Sequence, residues 1–350
     1  MPFSAIYGIV TDIRNSLFNR GVFKSHSLGA PTFSVGNITV GGTGKTPLVA
    51  FIAEILSENG EKVCILSRGY GRNDPKKRVL VSNFDEILSN PQDAGDEPFE
   101  LAVKLAGKAI VVSDADRVSA AEWARGKFGI TAFLLDDAFQ HRRAQRDLDI
   151  VVIDATNPFG NRKTLPFGIL REPLSNLRRA DLIVISRSNL TDNVPDLTAE
   201  ISNYNPHCPI IAARNTISGL RDIAEFYEKV EKADESYLFE ARSKRTFAFC
   251  GLGNPGSFFL QLRFEGFDVA GTEVFRDHHF YSREDIKRIE RNALKQKAEI
   301  LLTTAKDAVK LGDLSFDLPC FVVENTLEFD NEKALREIIH ETLNLYRKKS

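Results

Sequence analysis

The segment Gly41-Gly42-Thr43-Gly44-Lys45-Thr46 has the residues that hold a nucleoside triphosphate and magnesium. Glycines let successive backbone N–H groups turn inward as an anion-binding nest. A helix that follows adds its dipole and its free N–H groups. Lys45 is placed to reach the β- and γ-phosphates, and the Thr46 hydroxyl to ligate Mg²⁺. The local order fits: an apolar run, Pro31–Gly36, precedes the loop, and Pro47 opens the next helix, where its missing N–H costs nothing. The alternative is an ordinary glycine-rich turn before a helix. One position departs from the usual spacing, because Thr39 stands where a first glycine is expected.

A phosphate loop needs a distant carboxylate to hold its metal. Phe133-Leu134-Leu135-Asp136-Asp137 is an apolar strand ending in two acids, and the carboxyl ends of parallel strands are where α/β sites are built. Either Asp136 or Asp137 can serve; capping of a turn is the competing role. Gln140 and His141 follow into the same mouth. Asp96, in Gly95-Asp96-Glu97-Pro98, opens a helix and reads as an N-cap or a general base, the cap being the commoner use. A GTP-hydrolysing switch would carry Asn-Lys-x-Asp and Asp-x-x-Gly. Thr303-Thr304-Ala305-Lys306-Asp307 has the wrong order, and Phe139 stands three residues after Asp136. ATP and a kinase or ATPase are therefore favoured.

These residues must be positioned by an α/β frame. Apolar β-rich runs at Thr32–Val35, Lys62–Leu66, Arg78–Val81, Ala109–Ser113, Ala132–Leu135, Ile150–Ile153, Leu182–Ser186 and Ile210–Ala213 alternate with helical stretches. Continuous apolar strands and this alternation predict a parallel sheet with helices on both faces and right-handed crossovers. A second, smaller α/β set follows, with strands at Phe247–Cys250, Glu299–Thr303 and Cys320–Val323. The expected organisation is an N-terminal helix over 1–28, a P-loop kinase domain over 29–224, a linker or hairpin over 225–245 and a C-terminal α/β subdomain over 246–350.

The chain has 350 residues, 43% of them hydrophobic and 27% charged, with net charge −2. That is ordinary for a globular protein with a large core, and it gives no basic field to argue for nucleic acid. Cys64, Cys208, Cys250 and Cys320 are scattered without metal-ligand spacing, which suits a reduced compartment. No apolar run is long enough to span a bilayer, and the first residues lack the pattern of a secretory signal. Phe3, Ile6, Val10, Ile13 and Leu17 nevertheless share one helical face, with Arg14, Arg20 and Lys24 along or just beyond it. By pattern alone such a helix docks on the protein's own core; a membrane surface is the other reading.

Together the motifs resemble one family, tetraacyldisaccharide 4′-kinase, the lipid A 4′-kinase of Gram-negative bacteria. The resemblance is carried by Val35–Pro47, Ser67-Arg68-Gly69-Tyr70-Gly71, Gly95-Asp96-Glu97-Pro98, Asp136-Asp137-Ala138-Phe139-Gln140-His141, Leu170-Arg171-Glu172-Pro173, Gly251-Leu252-Gly253-Asn254-Pro255 and Asp277-His278-His279, in order over nearly the whole chain. Thr39 is typical of this family; Ala138 departs from its usual glycine, which matters only if that backbone needs a positive φ. The resemblance implies ATP- and Mg²⁺-dependent phosphorylation of the 4′-hydroxyl of tetraacyldisaccharide 1-phosphate. It implies Asp96 as base with His278 as its partner, His279 standing second. Thr46, Asp136 or Asp137, and Glu172 are implied as the metal set. Tyr70, Arg117, Gln140, His141 and Arg171 are expected to contact phosphate or sugar. Because that substrate lies in a bilayer, the resemblance turns the N-terminal helix into a membrane-contacting element. The protein is then peripheral on the cytoplasmic face of the bacterial inner membrane. The alternative is a P-loop ATPase, carrier or kinase acting on a soluble small molecule.

Overall fold

In a computed structural model, which describes residues 2–226, 235–312 and 314–349, the chain forms two compact units. The first comprises Met1–Arg214 and Glu328–Ser350, the second Asn215–Leu327.

The first unit is built on the strands β1 (Thr32–Gly36), β2 (Val63–Ser67), β3 (Val79–Ser82), β4 (Ala109–Ser113), β5 (Ala132–Asp136), β6 (Leu148–Asp154), β7 (Leu182–Ser186) and the start of β8 (Ile210–Asp222). They lie in the order β3-β4-β2-β5-β1-β6-β7-β8, all parallel except β3, which runs against β4. Strands β1, β2, β4, β5, β6 and β7 are buried along their whole length. That explains their unbroken apolar sequences, since both faces are covered.

Its helices are α1 (Pro2–Asn19), α2 (Lys45–Glu58), α3 (Pro91–Ala94), α4 (Asp96–Lys104), α5 (Arg117–Phe128) and α6 (Val194–Tyr204). Alanines 120, 121 and 124 of α5 pack on Cys64, Leu66, Ile110, Val112, Phe133 and Leu135 on one side. Leu197 and Ile201 of α6 cover Val151, Ile153, Ile183 and Ile185. Leu174–Arg179 forms a 3-10 segment. The chain leaves β1 toward β2 and returns through β5 to the strands on the other side of β1, so the sheet order reverses beside β1. In doubly wound sheets that reversal opens a crevice at the strands' carboxyl ends.

The second unit carries α7 (Glu235–Arg242), β9 (Arg245–Cys250), α8 (Pro255–Phe264), β10 (Asp268–Val274), α9 (Arg283–Lys295), β11 (Ile300–Thr304), α10 (Ala305–Ala308) and most of β12 (Cys320–Phe329). Its strands are parallel in the order β10-β9-β11-β12. The sequence pattern passes over β10 because that strand is only partly buried and contains Gly271.

The observed division differs from the expected boundaries. The chain leaves the first unit within β8, at Arg214, and re-enters it within β12. The last helix, α11 (Glu332–Lys349), then buries Leu335, Ile339 and Leu343 and pairs Arg336 with Glu58 and Arg347 with Glu61. A linear reading cannot show such a return. Of the expected linker, 227–234 lies outside the described residues, and Glu235–Arg242 is helical with Leu238 and Ala241 in the unit's core.

Helix α1 also departs from the pattern-based expectation. Its small and polar residues Ser4, Thr11 and Asn15 are buried, as is Gly8. Phe3, Ile6, Ile9, Val10 and Ile13 are instead 64, 54, 59, 57 and 55% exposed. A Cβ on Gly8 would lie 3.5 Å from Pro173, an ordinary van der Waals contact, so the helix docks closely there without requiring glycine. Thr164 Oγ1 donates to the Ser4 carbonyl (2.6 Å), Asn176 to Asp12 (2.8 Å) and Arg142 to the Asn15 carbonyl (2.8 Å). The helix is held by hydrogen bonds and turns its apolar stripe to the outside.

Candidate active site

Strand β1 ends at Gly36, where an added Cβ would come 2.5 Å from the Phe139 nitrogen. Glycine lets the exit of β1 pack against the turn after β5. In register, Val35 lies opposite Asp136, so the phosphate loop and the acidic strand end open from the same edge of the sheet. The backbone around Thr39 forms an antiparallel bridge with Leu170, with Val40 N donating to Ile169 O (2.8 Å) and Arg171 N to Ile38 O (2.8 Å). Extended backbone suits a β-branched residue, which explains why glycine is dispensable at 39. The left-handed positions fall instead at Gly41 (φ 105°) and Gly44 (φ 78°). Gly44 caps α2 without a side chain, and Lys45 and Thr46 form its first turn. The free N–H groups of that turn are the kind that receive phosphate oxygens.

The two acids differ in environment. Asp137, in the left-handed region (φ 47°), accepts from Arg171 Nη1 at 2.9 and 2.8 Å and lies 3.4 Å from Lys45 Nζ. Burial by itself would raise its carboxyl, but the Lys45 and Arg171 charges outweigh burial and hold it well below the usual carboxylate range. Asp136 is pushed up, first by burial and then by the charges of Glu97 and Asp137, against the pull of Lys45 and a 2.9 Å hydrogen bond from Ser67. Asp136 is thus the carboxylate crowded by its own sign, and a divalent cation would relieve that crowding. The left-handed residue is Asp137, so Ala138 needs no positive φ and its departure from glycine carries no strain.

Arg117, at the start of α5, is buried and donates to the Asp136 carbonyl (2.6 Å). Gln140 Nε2 donates to the Asn37 carbonyl (3.0 Å), while the Gln140 carbonyl accepts from Arg14. His141 lines a cavity of about 510 Å³ with Gln140, Arg14, Phe18, Lys24 and Arg142. Burial, together with Arg117, Arg146 and Arg143, lowers the His141 imidazole to about 3, so it is neutral at ordinary pH.

Asp96 is buried and is the first residue of α4, not its cap, which is Gly95. A Cβ on Gly95 would lie 2.8 Å from Gly69 Cα, so the turn Gly69–Tyr70 closes directly onto the start of α4. Tyr70 is exposed, with its hydroxyl accepting from Arg68 (3.2 Å). Asp96 Oδ1 nevertheless accepts from Glu97 N (3.0 Å), so its carboxylate meets a free N–H of the first turn of α4.

Glu172 stands apart from the expected metal set. Both its oxygens accept from Arg179 Nη2 (3.0 and 2.8 Å), and Oε2 also accepts from Asn15 (2.7 Å). Its carboxylate is committed to docking α1, with the Arg179 guanidinium stacked 4.0 Å over Phe139. In the second unit, His278 follows β10 with φ 62° and lies 3.8 Å from Asp277. His279 is bonded to Asp285 (3.0 Å) and stacked on Phe275.

The chain matches the family described as tetraacyldisaccharide-1-P 4'-kinase over residues 1–344. It is 38% identical to the tetraacyldisaccharide 4'-kinase of Geobacter metallireducens, over 88% of this chain and 87% of that protein. It is 37% identical to that of Koribacter versatilis, over 97% of each. The chain belongs to the tetraacyldisaccharide 4′-kinase family. A crystal structure of LpxK from Aquifex aeolicus in complex with ATP is similar over 98% of both chains, with TM-score 0.75 and 31% identity.

The protein is accordingly an ATP-dependent kinase of tetraacyldisaccharide 1-phosphate in lipid A synthesis, and the parallel-sheet P-loop fold expected from the sequence is the one found. It uses ATP with Mg²⁺. Among the described residues, no group of three or more His, Cys, Asp or Glu side chains could hold a metal by itself. Kinase magnesium sites rely on one or two carboxylates with substrate phosphates, and Asp136 with Thr46 fits that requirement. Sequence reasoning passed over Glu97, in α4, and Ser67, at the end of the neighbouring strand β2, both of which act on Asp136. Both stood inside quoted motifs, but spacing alone could not bring these separate elements together.

Proposed function

We propose that this kinase works as a peripheral membrane enzyme, gripping the bilayer with α1 and using Asp96 as base toward the sugar hydroxyl. The observation that carries the membrane reading is the inverted helix. Five large apolar side chains face outward on α1, while its polar face is buried. An exposed apolar stripe of this kind suits the interface between headgroups and acyl chains. Arg14, Arg20 and Lys24 lie at the end of that stripe, where anionic headgroups would meet them. No helix of the described residues is long and apolar enough to cross a membrane. The cytoplasmic face of the inner membrane follows from where ATP is available.

In this reading Lys45 and the loop amides hold the triphosphate, with Arg171 keeping Asp137 ionised beside Lys45. Thr46 and Asp136 are the residues that would hold Mg²⁺, whose chemistry is to neutralise charge on the transferring phosphoryl group. Asp96, fixed at the first turn of α4, accepts the hydroxyl proton. Tyr70, Arg117, Gln140, His141 and Arg171 are the side chains proposed to contact phosphate or sugar. A catalytic role for His278 is proposed on the family resemblance.

The test is transfer of label from γ-labelled ATP to the lipid precursor in mixed vesicles, run beside soluble sugars. Asp96→Asn should lower turnover by about 10² to 10⁴ with ATP binding retained. Near-normal turnover in that variant would remove Asp96 from the base role. Equal labelling of soluble sugars would remove the membrane reading.

A further inference from the structure

Two successive carbonyls of the phosphate loop are pinned from outside the loop. Arg187 Nη1 donates to the Gly42 carbonyl (2.9 Å), and Ser186 Oγ donates to the Thr43 carbonyl (2.8 Å). Arg187 is itself held by Asp154, the last residue of β6, through an ion pair that is nearly dry on both sides. The other Asp154 oxygen accepts from Thr156 N (3.0 Å) and Oγ1 (2.7 Å), which fixes the carboxylate. Asn37 adds a hydrogen bond to the Thr43 hydroxyl (3.1 Å).

The geometry of the peptide gives these contacts a consequence. In a planar trans peptide the carbonyl and the N–H point in opposite directions. Turning the Gly42 carbonyl toward Arg187 turns the Thr43 N–H the other way. Turning the Thr43 carbonyl toward Ser186 does the same for the Gly44 N–H. Two consecutive donors are thereby aimed together, as an anion nest requires. Left to themselves, glycine peptides on either side of Thr43 flip readily, because glycine crosses φ/ψ space at little cost. Arg187 also sits in the left-handed region, at φ 55° and ψ 33°, a conformation that costs energy for a residue with a Cβ. The surrounding contacts must sustain it, and those of its side chain include the bonds to Gly42 and Asp154.

We propose that Arg187, Asp154 and Ser186 are positioning residues that preset the phosphate loop of this kinase, acting through the Gly42 and Thr43 carbonyls and not by touching the nucleotide. The proposal rests on Gly41–Thr46 being the phosphate loop. A Lys45→Ala control checks that reading separately, since it must impair ATP use whatever Arg187 does.

The experiment measures KM for ATP, KM for the lipid precursor, kcat and thermal midpoint in Arg187→Gly, Ser186→Ala, Asp154→Asn and the Arg187→Gly/Asp154→Asn pair. Glycine at 187 keeps the left-handed backbone without strain, so the variant reports the side chain alone. Arg187→Gly should raise KM for ATP about tenfold or more, as expected for a lost hydrogen bond from a charged group. Ser186→Ala should raise it in the same direction and by less. The double variant should be no worse than Arg187→Gly within about twofold, because the pair acts as a unit. KM for lipid should hold in all four. An effect confined to Arg187→Gly, with Ser186→Ala and Asp154→Asn unchanged, would mean that Arg187 contacts the nucleotide directly, and it overturns the proposal. Unchanged KM for ATP in all variants overturns it as well. So does a parallel loss of both KM values and the thermal midpoint, which is the mark of a merely structural pair.

Discussion

Replacing Ile6 and Ile13 together with serine should release the protein from vesicles while leaving its fold intact. Both side chains are a little more than half exposed on α1. Fully burying an isoleucine is worth about 1.5–3 kcal/mol, so the open half of each offers a bilayer roughly 0.8–1.6 kcal/mol. Losing both removes about 1.6–3.2 kcal/mol, which corresponds to roughly 15- to 200-fold weaker partitioning. Folding should change far less, by about 1 kcal/mol or below, because more than half of each side chain is already in solvent. A helix docked on its core by the same stripe would behave in the opposite way, with several kcal/mol of stability lost and no membrane effect. The assay is flotation with anionic vesicles beside a thermal melt, and lipid turnover in the same vesicles should fall with binding. Unchanged flotation, or a large drop in the melting midpoint, would refute the argument. An Asn15→Leu variant supplies the contrast: it alters the buried face and removes a donor from Glu172. It should lower stability, by about 1–3 kcal/mol for the unmet hydrogen bond.

Arg179→Met should destabilise the fold by about 3–5 kcal/mol, since it leaves the buried Glu172 carboxylate without its charged partner. Adding Glu172→Gln should restore part of that loss in a denaturant titration; no recovery would show that the packing of Arg179 over Phe139 dominates. His141→Gln should flatten the acid limb of the stability curve. The imidazole is held near 3 in the folded protein against about 6.5 unfolded, so between those values the unfolded chain binds the extra proton. Its stabilisation is complete above about pH 6.5 and is lost as pH falls toward 3, and an unaltered slope in melts over that window would contradict the assignment. His278→Ala should reduce kcat with little effect on thermal stability, because the side chain is about one-third exposed; unchanged kcat would remove it from the chemistry.

Much of the frame was legible because buried parallel strands write their environment directly into sequence. Phe133–Leu135 and Ile150–Ile153 are continuous apolar runs for the simple reason that both sheet faces are covered. The turn at Gly41 and Gly44 and the helix start at Lys45 and Thr46 were legible because a glycine-rich loop before a helix is a local feature of the chain. Edge strand β10 and helix α7 were not, since their periodicity is weak and partly exposed.

The sequence by itself therefore determined the phosphate loop, the parallel sheet and, through ordered motifs, the family. Tertiary structure decided what depends on distance between remote segments. It divided the acids, leaving Asp136 crowded by Glu97 and tying Asp137 to Lys45 and Arg171. It committed Glu172 to Arg179 and Asn15, and it chose which face of α1 to bury. An amphipathic pattern fixes only that a helix has two faces. Which one meets the protein depends on the partner surface, and here that surface offers hydrogen bonds to Ser4, Asp12 and Asn15.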